Sequence, residues 1–305
     1  MKRTVPILVF GIILLSLIGC ASSLPRKEAA VVYYNLGNAY FELGELDDAA
    51  EAYLEALRLD ESLAGANYNL AYVFLEKGDI ERGREILFEI IEKNPDNTIV
   101  LNTVAYSFIK ENDPRSALEY YEAVLELNPY NTEALYNSGV ILWGLAELPE
   151  ARERFLVLYR EDPERKEAFY NLGALELEAG NRMRGIEYLE EYLEEVPDDV
   201  AALELLGGAY IEEEYYSLAL EAYNRIIELD PERPEVHFER ARILLTAIGD
   251  FPAGMSALEE AVNRGFEDRG AISSLAADPD LVRPEEVHDF LIRNDLLAEE
   301  DLSAE

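Results

Sequence analysis

Small and apolar residues recur along this chain at a fixed interval of 34 residues. Within residues 34–60 they lie three, four and seven positions apart in two runs that meet at residues 44–46. This spacing places each run on one face of an α-helix, so the segment predicts two amphipathic helices packed as an antiparallel pair. The small residue of the first helix recurs at Gly37, Ala71, Ala105, Gly139, Gly173, Gly207 and Ala241. One fixed period of this length is typical of a repeat array.

The second helix of each repeat follows the same interval. Its small residues are Ala49, Gly83, Ala117, Ala151, Gly185 and Ala219; the large ones nearby are Tyr53, Leu87, Tyr121, Phe155, Leu189, Tyr223 and Leu258; the closing prolines are Pro95, Pro129, Pro163, Pro197 and Pro231. We expect small residues where two helices cross closely, large residues beside the crossing, and proline to end the second helix. One pair cannot bury its apolar face alone, so neighbouring pairs must stack.

Three places depart from the repeat. In the fifth repeat Glu176 takes an aromatic position and Gly185 replaces alanine, so we expect looser packing there. The seventh repeat gains one residue near 247–250, which moves its small residue to Gly254. Residues 268–305 do not repeat. A helical pattern opening at Pro284 predicts a cap over the last repeat, followed by an acidic tail; a separate binding module is the alternative.

Residues 30–267 resemble the tetratricopeptide repeat (TPR) family. Its pattern of aromatic, Leu-Gly, Tyr, Ala, aromatic and Ala is matched in the first repeat by Tyr33, Leu36, Gly37, Tyr40, Ala49, Tyr53 and Ala56. The resemblance implies an all-α fold, a right-handed superhelical solenoid of about seven helix-turn-helix repeats, which the helical cap would close.

The resemblance also implies that the first helices line a concave groove. The positions expected to point into it hold Tyr34, Asn38, Tyr68, Tyr72, Asn102, Tyr106, Tyr136 and Tyr170, with Phe238 and Arg242 in the seventh repeat. Tyrosine combines a large contact area with a hydroxyl, and amides can pair with an extended backbone, so this lining suits a peptide or helix of a partner. The alternative is that these Tyr–Asn pairs serve helix packing alone.

Residues 1–19 have the pattern of an export signal. Lys2 and Arg3 precede an apolar run that is short for a membrane span. The run ends in Leu17-Ile18-Gly19-Cys20, which resembles a bacterial lipoprotein signal. That resemblance implies cleavage before Cys20, its lipidation with acyl chains such as palmitate, and a tether over residues 20–29. Ala21 after the cysteine implies the outer membrane, facing the periplasm.

Composition excludes several classes of function. The chain has 63 acidic and 26 basic residues, a formal charge of −37, whereas nucleic-acid binding requires a basic surface. Cys20 is the only cysteine, and the two histidines lie far apart. Because no zinc spacing, phosphate loop or nucleophile motif is present, we expect no cofactor, no metal site and no enzymatic activity.

These observations predict a lipid-anchored scaffold of the bacterial cell envelope that binds a peptide or helix of an envelope protein in its groove. Adaptors that recruit peptidoglycan enzymes and pilotins of secretins both have a lipid anchor followed by such repeats. The sequence does not distinguish between these two roles. The rival is a ligand-binding component of an envelope transport system that holds a small hydrophobic molecule in the groove or a pore.

Overall fold

The computed structural model describes residues 24–298 of the chain. Over this range it contains sixteen α-helices, one π-helical turn and no β-strand, which confirms the all-α repeat fold. The chain divides into two compact units between Glu161 and Asp162. The predicted export signal, Cys20 and the end of the acidic tail lie outside the described residues.

The first unit consists of four helical hairpins, in which each odd-numbered helix packs against the helix that follows it. Its helices are α1 (Arg26–Glu42), α2 (Leu46–Leu59), α3 (Ala64–Glu76), α4 (Ile80–Lys93), α5 (Thr98–Lys110), α6 (Pro114–Leu127), α7 (Thr132–Gly144) and α8 (Leu148–Glu161). Those that precede a proline, such as α4 and α6, end two residues before it, because proline cannot continue the helix.

The second unit has three hairpins and two further helices. It comprises α9 (Lys166–Glu178), α10 (Arg182–Glu195), α11 (Val200–Glu212), α12 (Tyr216–Leu229), α13 (Pro234–Ile243), the π-helical turn Leu244–Ile248, α14 (Phe251–Asn263), α15 (Arg269–Ala276) and α16 (Pro284–Arg293). The helix expected at Pro284 is therefore present, and α15 is an additional helix that the sequence pattern did not predict.

The turn inside each hairpin places one residue in the left-handed backbone region. These residues are Gly44, Gly78, Asn112, Ala146, Gly180, Glu214 and Gly249. At the first turn the amide of Glu45 donates to the carbonyl of Tyr40 at 2.9 Å, which satisfies a helix-end carbonyl as in a Schellman motif. The left-handed position thus recurs every 34 residues until the seventh hairpin, where it comes one residue later.

The helix crossings require small residues, as predicted. A Cβ added to Gly139 would lie 2.8 Å from Cε1 of Phe155, closer than side-chain carbons approach in proteins. Phe155 itself is fully buried. The other large residues predicted beside the crossings are also buried: Tyr53, Leu87, Tyr121, Leu189, Tyr223 and Leu258.

The expectation of looser packing in the fifth repeat is wrong. A Cβ on Gly185 would lie 2.5 Å from Cδ2 of Leu177, so the leucine occupies the space beside the glycine. Glu176, at the position of the missing aromatic residue, is completely buried and accepts a hydrogen bond of 2.7 Å from the amide of Asn181. A hydrogen-bonded carboxyl group and a neighbouring leucine fill the volume instead.

The extra residue of the seventh repeat is absorbed by the π-helical turn between α13 and α14. Gly254 then faces Leu245, whose Cγ would lie 2.5 Å from a Cβ at that position. The carbonyl of Leu245 accepts a 2.9 Å hydrogen bond from the amide of Val282, which lies between α15 and α16. The insertion therefore keeps the close crossing and ties the C-terminal segment to the last repeat.

The C-terminal helices cover the apolar face of the seventh repeat, as the cap prediction required. Val287 and Leu291 of α16 and Ile272 and Leu275 of α15 are buried in one cluster with residues of α13 and α14. In the same cluster Phe238 stacks on Phe266 with 4.1 Å between ring centroids. The cap thus completes the hydrophobic core of the second unit.

Candidate functional site

A row of aromatic side chains crosses the first unit on successive first helices. Phe41 of α1 meets Tyr72 of α3 edge-on at 5.7 Å between centroids, and Tyr72 stacks on Tyr106 of α5 at 6.2 Å. All three rings are partly exposed. The 34-residue period generates the tyrosine part of this row, because equivalent positions of stacked hairpins lie side by side.

A pocket of about 460 Å³ opens at one end of this row, against Phe41 and Tyr72. Its lining residues come from the first and second hairpins and are Asn38, Phe41, Glu42, Tyr53, Tyr68, Asn69 and Tyr72. Three of the residues predicted for the groove, Asn38, Tyr68 and Tyr72, are thus brought together here.

A hydrogen-bond network fixes the polar side of the pocket. Oδ1 of Asn38 accepts from the hydroxyl of Tyr53 at 2.7 Å and from Nδ2 of Asn69 at 2.9 Å. These bonds use the Asn38 carbonyl and the Asn69 amide nitrogen, and within the described residues Nδ2 of Asn38 and Oδ1 of Asn69 form no hydrogen bond to the protein. The pocket therefore offers both a donor and an acceptor, as an extended peptide backbone requires.

Tyr68 and Tyr106 are oriented by hydrogen bonds to neighbouring first helices, Tyr68 to the following one and Tyr106 to the preceding one. The hydroxyl of Tyr68 lies 3.0 Å from Oγ1 of Thr103, and the hydroxyl of Tyr106 donates to Oε1 of Glu76 at 2.9 Å. Burial raises the pKa of Tyr72, and the carboxylate of Glu76 adds to the rise, so this hydroxyl stays neutral at physiological pH. Hydrogen bonds thus hold the rings of Tyr68 and Tyr106 in place beside the neutral ring of Tyr72.

The other predicted residues of the first unit are not part of the pocket lining. Tyr34 packs against Gly65, where its hydroxyl would be 3.1 Å from a Cβ. Asn102 is only 3% exposed, and its Nδ2 donates to Glu133 at 3.1 Å. Tyr136 lies edge-on to Phe155. Contrary to expectation, Asn102 is thus a buried side chain and not an accessible one.

The second unit presents a different surface at the predicted positions. Tyr170 packs on Tyr192 at 5.5 Å between centroids, and burial with the nearby Asp199 raises its pKa. Arg242 pairs with Glu239 on its own helix at 2.6 Å, so its charge is already matched. Phe238 is 1% exposed in the core, and its assignment to the groove is wrong.

Sequence reasoning missed Phe41, Glu42 and Tyr53 as pocket residues. Phe41 and Glu42 follow Tyr34 by seven and eight positions, so they share its helix face and could have been found by extending the pattern by one turn. Tyr53 was assigned to packing beside the crossing. It does pack there, and its hydroxyl also reaches the pocket, which no repeat pattern reveals.

The described residues contain no cluster of His, Cys, Asp or Glu able to hold a metal ion. Over residues 24–298 no helix is both long and apolar enough to cross a bilayer. The pocket therefore offers a ligand aromatic rings, side-chain amides and one carboxylate.

Two family models match the chain. The model described as tetratricopeptide repeat matches residues 105–166, 170–234 and 209–271, more than half of the chain, and the one described as TPR repeat matches residues 37–78. No curated protein sequence matches.

Several solved structures are similar. The C-terminal part of a TPR repeat-containing protein from Cytophaga hutchinsonii has a TM-score of 0.59 at 15% identity, covering 77% of this chain and 98% of its own. A tetratricopeptide repeat protein from Parabacteroides merdae has a TM-score of 0.55 at 18% identity, covering 81% and 97%. YrrB, a TPR protein with an unusual peptide-binding site, is 27% identical, with coverages of 62% and 96% and a TM-score of 0.48. The first two likenesses show the repeat fold.

Proposed function

The chain belongs to the tetratricopeptide repeat family, and from this premise we propose that it is a lipid-anchored scaffold of the bacterial cell envelope. The fold supports a scaffold that binds other proteins. In this proposal, Cys20 is acylated and holds the chain on the outer membrane, facing the periplasm. The aromatic groove of the first unit binds a peptide or helix of an envelope protein.

One observation carries the binding proposal: the aromatic row is accessible and ends in a pocket lined by the partly exposed side-chain amides of Asn38 and Asn69. If the Tyr–Asn pairs served packing alone, the rings of Tyr68 and Tyr72 would lie fully between helices, whereas both are partly exposed and line the pocket. The polar side chains Asn38, Glu42 and Asn69 favour a peptide over a small hydrophobic molecule, which would leave them unpaired.

Site-specific photo-crosslinking in living cells tests the groove. Tyr72 is replaced by p-benzoylphenylalanine, and the matched control carries the same group at Glu51, an exposed residue of α2. We expect the Tyr72 position to capture a distinct envelope protein that the Glu51 position does not. Equal capture at the two positions would show that the groove has no special role.

Membrane fractionation tests the anchor separately. Cys20→Ala removes the only sulfur that can be acylated. Two or more acyl chains are needed for stable anchoring, so we expect the variant to move from the membrane to the soluble fraction and to lose labelling by a fatty-acid analogue. Unchanged labelling contradicts the anchor, whatever the crosslinking shows.

A further inference from the structure

The pocket at the first and second hairpins combines aromatic rings with one carboxylate. Glu42 lines the pocket beside Phe41, Tyr68 and Tyr72. Within residues 24–298 Glu42 forms no ion pair, and no Lys or Arg side chain lies over these rings. The surroundings are acidic as well, because residues 30–97 hold fifteen acidic and five basic side chains.

At two other places in the first unit, a basic side chain contacts both an aromatic ring and a carboxylate. Nζ of Lys110 lies 3.1 Å from Oε1 of Glu76 and 5.2 Å from the ring centroid of Tyr106. The guanidinium of Arg84 lies 3.9 Å from the ring centroid of Phe108 and pairs with Glu111 at 2.5 Å. In both cases a cation lies between an aromatic face and a carboxylate. The pocket has the ring and the carboxylate, and no Lys or Arg of residues 24–298 pairs with Glu42.

We propose that this pocket binds the arginine or lysine side chain of a basic segment in the partner protein. The cation lies against the faces of Tyr72 and Phe41 and pairs with Glu42, because aromatic faces and a carboxylate both attract positive charge. Nδ2 of Asn38 and Oδ1 of Asn69 pair with the main chain beside that residue. The inference rests on the proposed groove function and adds the chemical class of the bound segment.

Charge and polarity disfavour an acidic or a neutral apolar occupant of the pocket. An acidic peptide or a C-terminal carboxylate would meet Glu42 without a basic side chain in the pocket lining to offset the repulsion. A neutral apolar segment would bury Glu42 unpaired, which is costly. A basic segment is also the class that the chain's charge of −37 attracts over a longer distance.

Two peptide pools measure the preference directly. Both contain fluorescein-labelled twelve-residue peptides that are random among uncharged residues except at the centre. One pool has arginine at the centre and the other has citrulline, which keeps the shape and loses the charge. Fluorescence anisotropy with the full chain in detergent micelles gives the two affinities. We expect the arginine pool to bind roughly tenfold more tightly, as a cation–π contact with an ion pair implies.

Glu42→Gln and Glu51→Gln are the matched variants. Both remove one negative charge from an exposed position of the first hairpin, but only Glu42 lines the pocket. We expect Glu42→Gln to abolish most of the arginine preference and Glu51→Gln to leave it unchanged. Equal binding of the two pools to the unaltered chain, or equal effects of the two variants, overturns the proposal.

The result of the peptide-pool experiment can be distinguished from the result of the crosslinking experiment that tests the groove. If p-benzoylphenylalanine at Tyr72 captures a partner while the pools bind equally, the groove function stands and the cation pocket is wrong. If the arginine pool is preferred and Glu42→Gln removes the preference, the pocket is supported even where no partner is captured in cells, and the failure then concerns the scaffold function.

Discussion

Tyrosine serves two purposes in this molecule, and single side chains often serve both. Tyr53 is 1% exposed and fills the space beside Gly37, yet its hydroxyl donates to Asn38 at the pocket. Tyr72 contacts the rings of Phe41 and Tyr106 and is still partly exposed. A tyrosine can do this because its ring is apolar and its hydroxyl needs a polar neighbour. Packing and recognition are therefore not exclusive roles here.

The spacing of repeats predicts where a tyrosine lies but not which neighbour it meets. Tyr68 and Tyr136 occupy equivalent positions two repeats apart; Tyr68 lines the pocket, whereas Tyr136 packs against Phe155. The residues around the two tyrosines differ: Phe41 and Glu42 precede Tyr68, whereas Ile109 and Lys110 hold the equivalent positions before Tyr136. Similarly, Asn102 was predicted to be accessible and is buried, because Asn131 and Glu133 approach its amide.

At the residue scale, two glycines of α7 make a matched test of close packing. Gly139→Ala places a Cβ 2.8 Å from the buried ring of Phe155, so we expect the free energy of unfolding to fall by about 1–3 kcal/mol. At Gly144 nothing lies within 4 Å of the added Cβ, and alanine favours the helix. We therefore expect Gly144→Ala to be neutral or to stabilise by up to about 1 kcal/mol.

Urea denaturation followed by circular dichroism measures both variants. The same substitution in the same helix should shift the midpoint in opposite directions, or shift it only for Gly139. A loss of stability at Gly144 equal to that at Gly139 would mean that helix propensity and not the crossing decides the effect.

At the element scale, the hairpin turns show how much the sequence determines. The turns at Gly44, Gly78 and Gly180 have the glycine expected for a left-handed residue, but Ala146 and Glu214 adopt the same conformation. The repeat spacing predicts these turns even where the local residue does not favour them. The π-helical turn at Leu244–Ile248 could not be predicted, because an inserted residue can equally lengthen a loop.

The packing of the cap predicts that α16 can detach separately from the repeats. Leu291 of α16 is fully buried against the seventh repeat, so Leu291→Ala leaves a cavity that costs about 2–5 kcal/mol. This loss is large for a ten-residue helix, and we expect α16 to detach before the repeats unfold. Limited proteolysis should then cut residues 277–283 much faster than in the unaltered chain.

Asp289→Ala is the control for the cap, because Asp289 lies on the exposed face of the same helix. Its proteolysis should match that of the unaltered chain. If Leu291→Ala instead leaves cleavage unchanged and lowers the stability of the whole second unit, the cap is an integral part of the repeat stack and does not open separately.

At the scale of the whole molecule, the fourteen helices of the seven hairpins and their pairing follow from the period, whereas the cap is predicted from the separate pattern at Pro284, and α15 is not predicted at all. Many small, regularly spaced restraints agree, so errors at single positions such as Glu176 do not change the fold. The pocket depends on which residue types meet at equivalent positions of the first two repeats, and of the groove residues predicted from the sequence only Asn38, Tyr68 and Tyr72 lie in its lining.

The net negative charge of the chain predicts how its thermal stability depends on salt. Even if all 26 basic side chains were paired, the excess of 37 acidic ones would repel each other. Exposed ion pairs such as Lys166–Glu195 contribute about 0–1 kcal/mol each and weaken in salt, but the uncompensated repulsion weakens as well. We expect the repulsion to dominate, so the melting temperature should rise by a few degrees between about 10 and 200 mM NaCl, as the screening length falls from roughly 30 to below 10 Å.

The same salt series should have the opposite effect on binding of the arginine pool, because screening weakens the attraction between a basic segment and an acidic chain. Thermal unfolding and fluorescence anisotropy in matched buffers measure the two trends, with chloride chosen because sulfate stabilises by a different mechanism. A melting temperature that falls with salt would mean that ion pairs outweigh the net repulsion. Binding that is insensitive to salt would mean that the acidic surface maintains solubility and takes no part in attracting the partner.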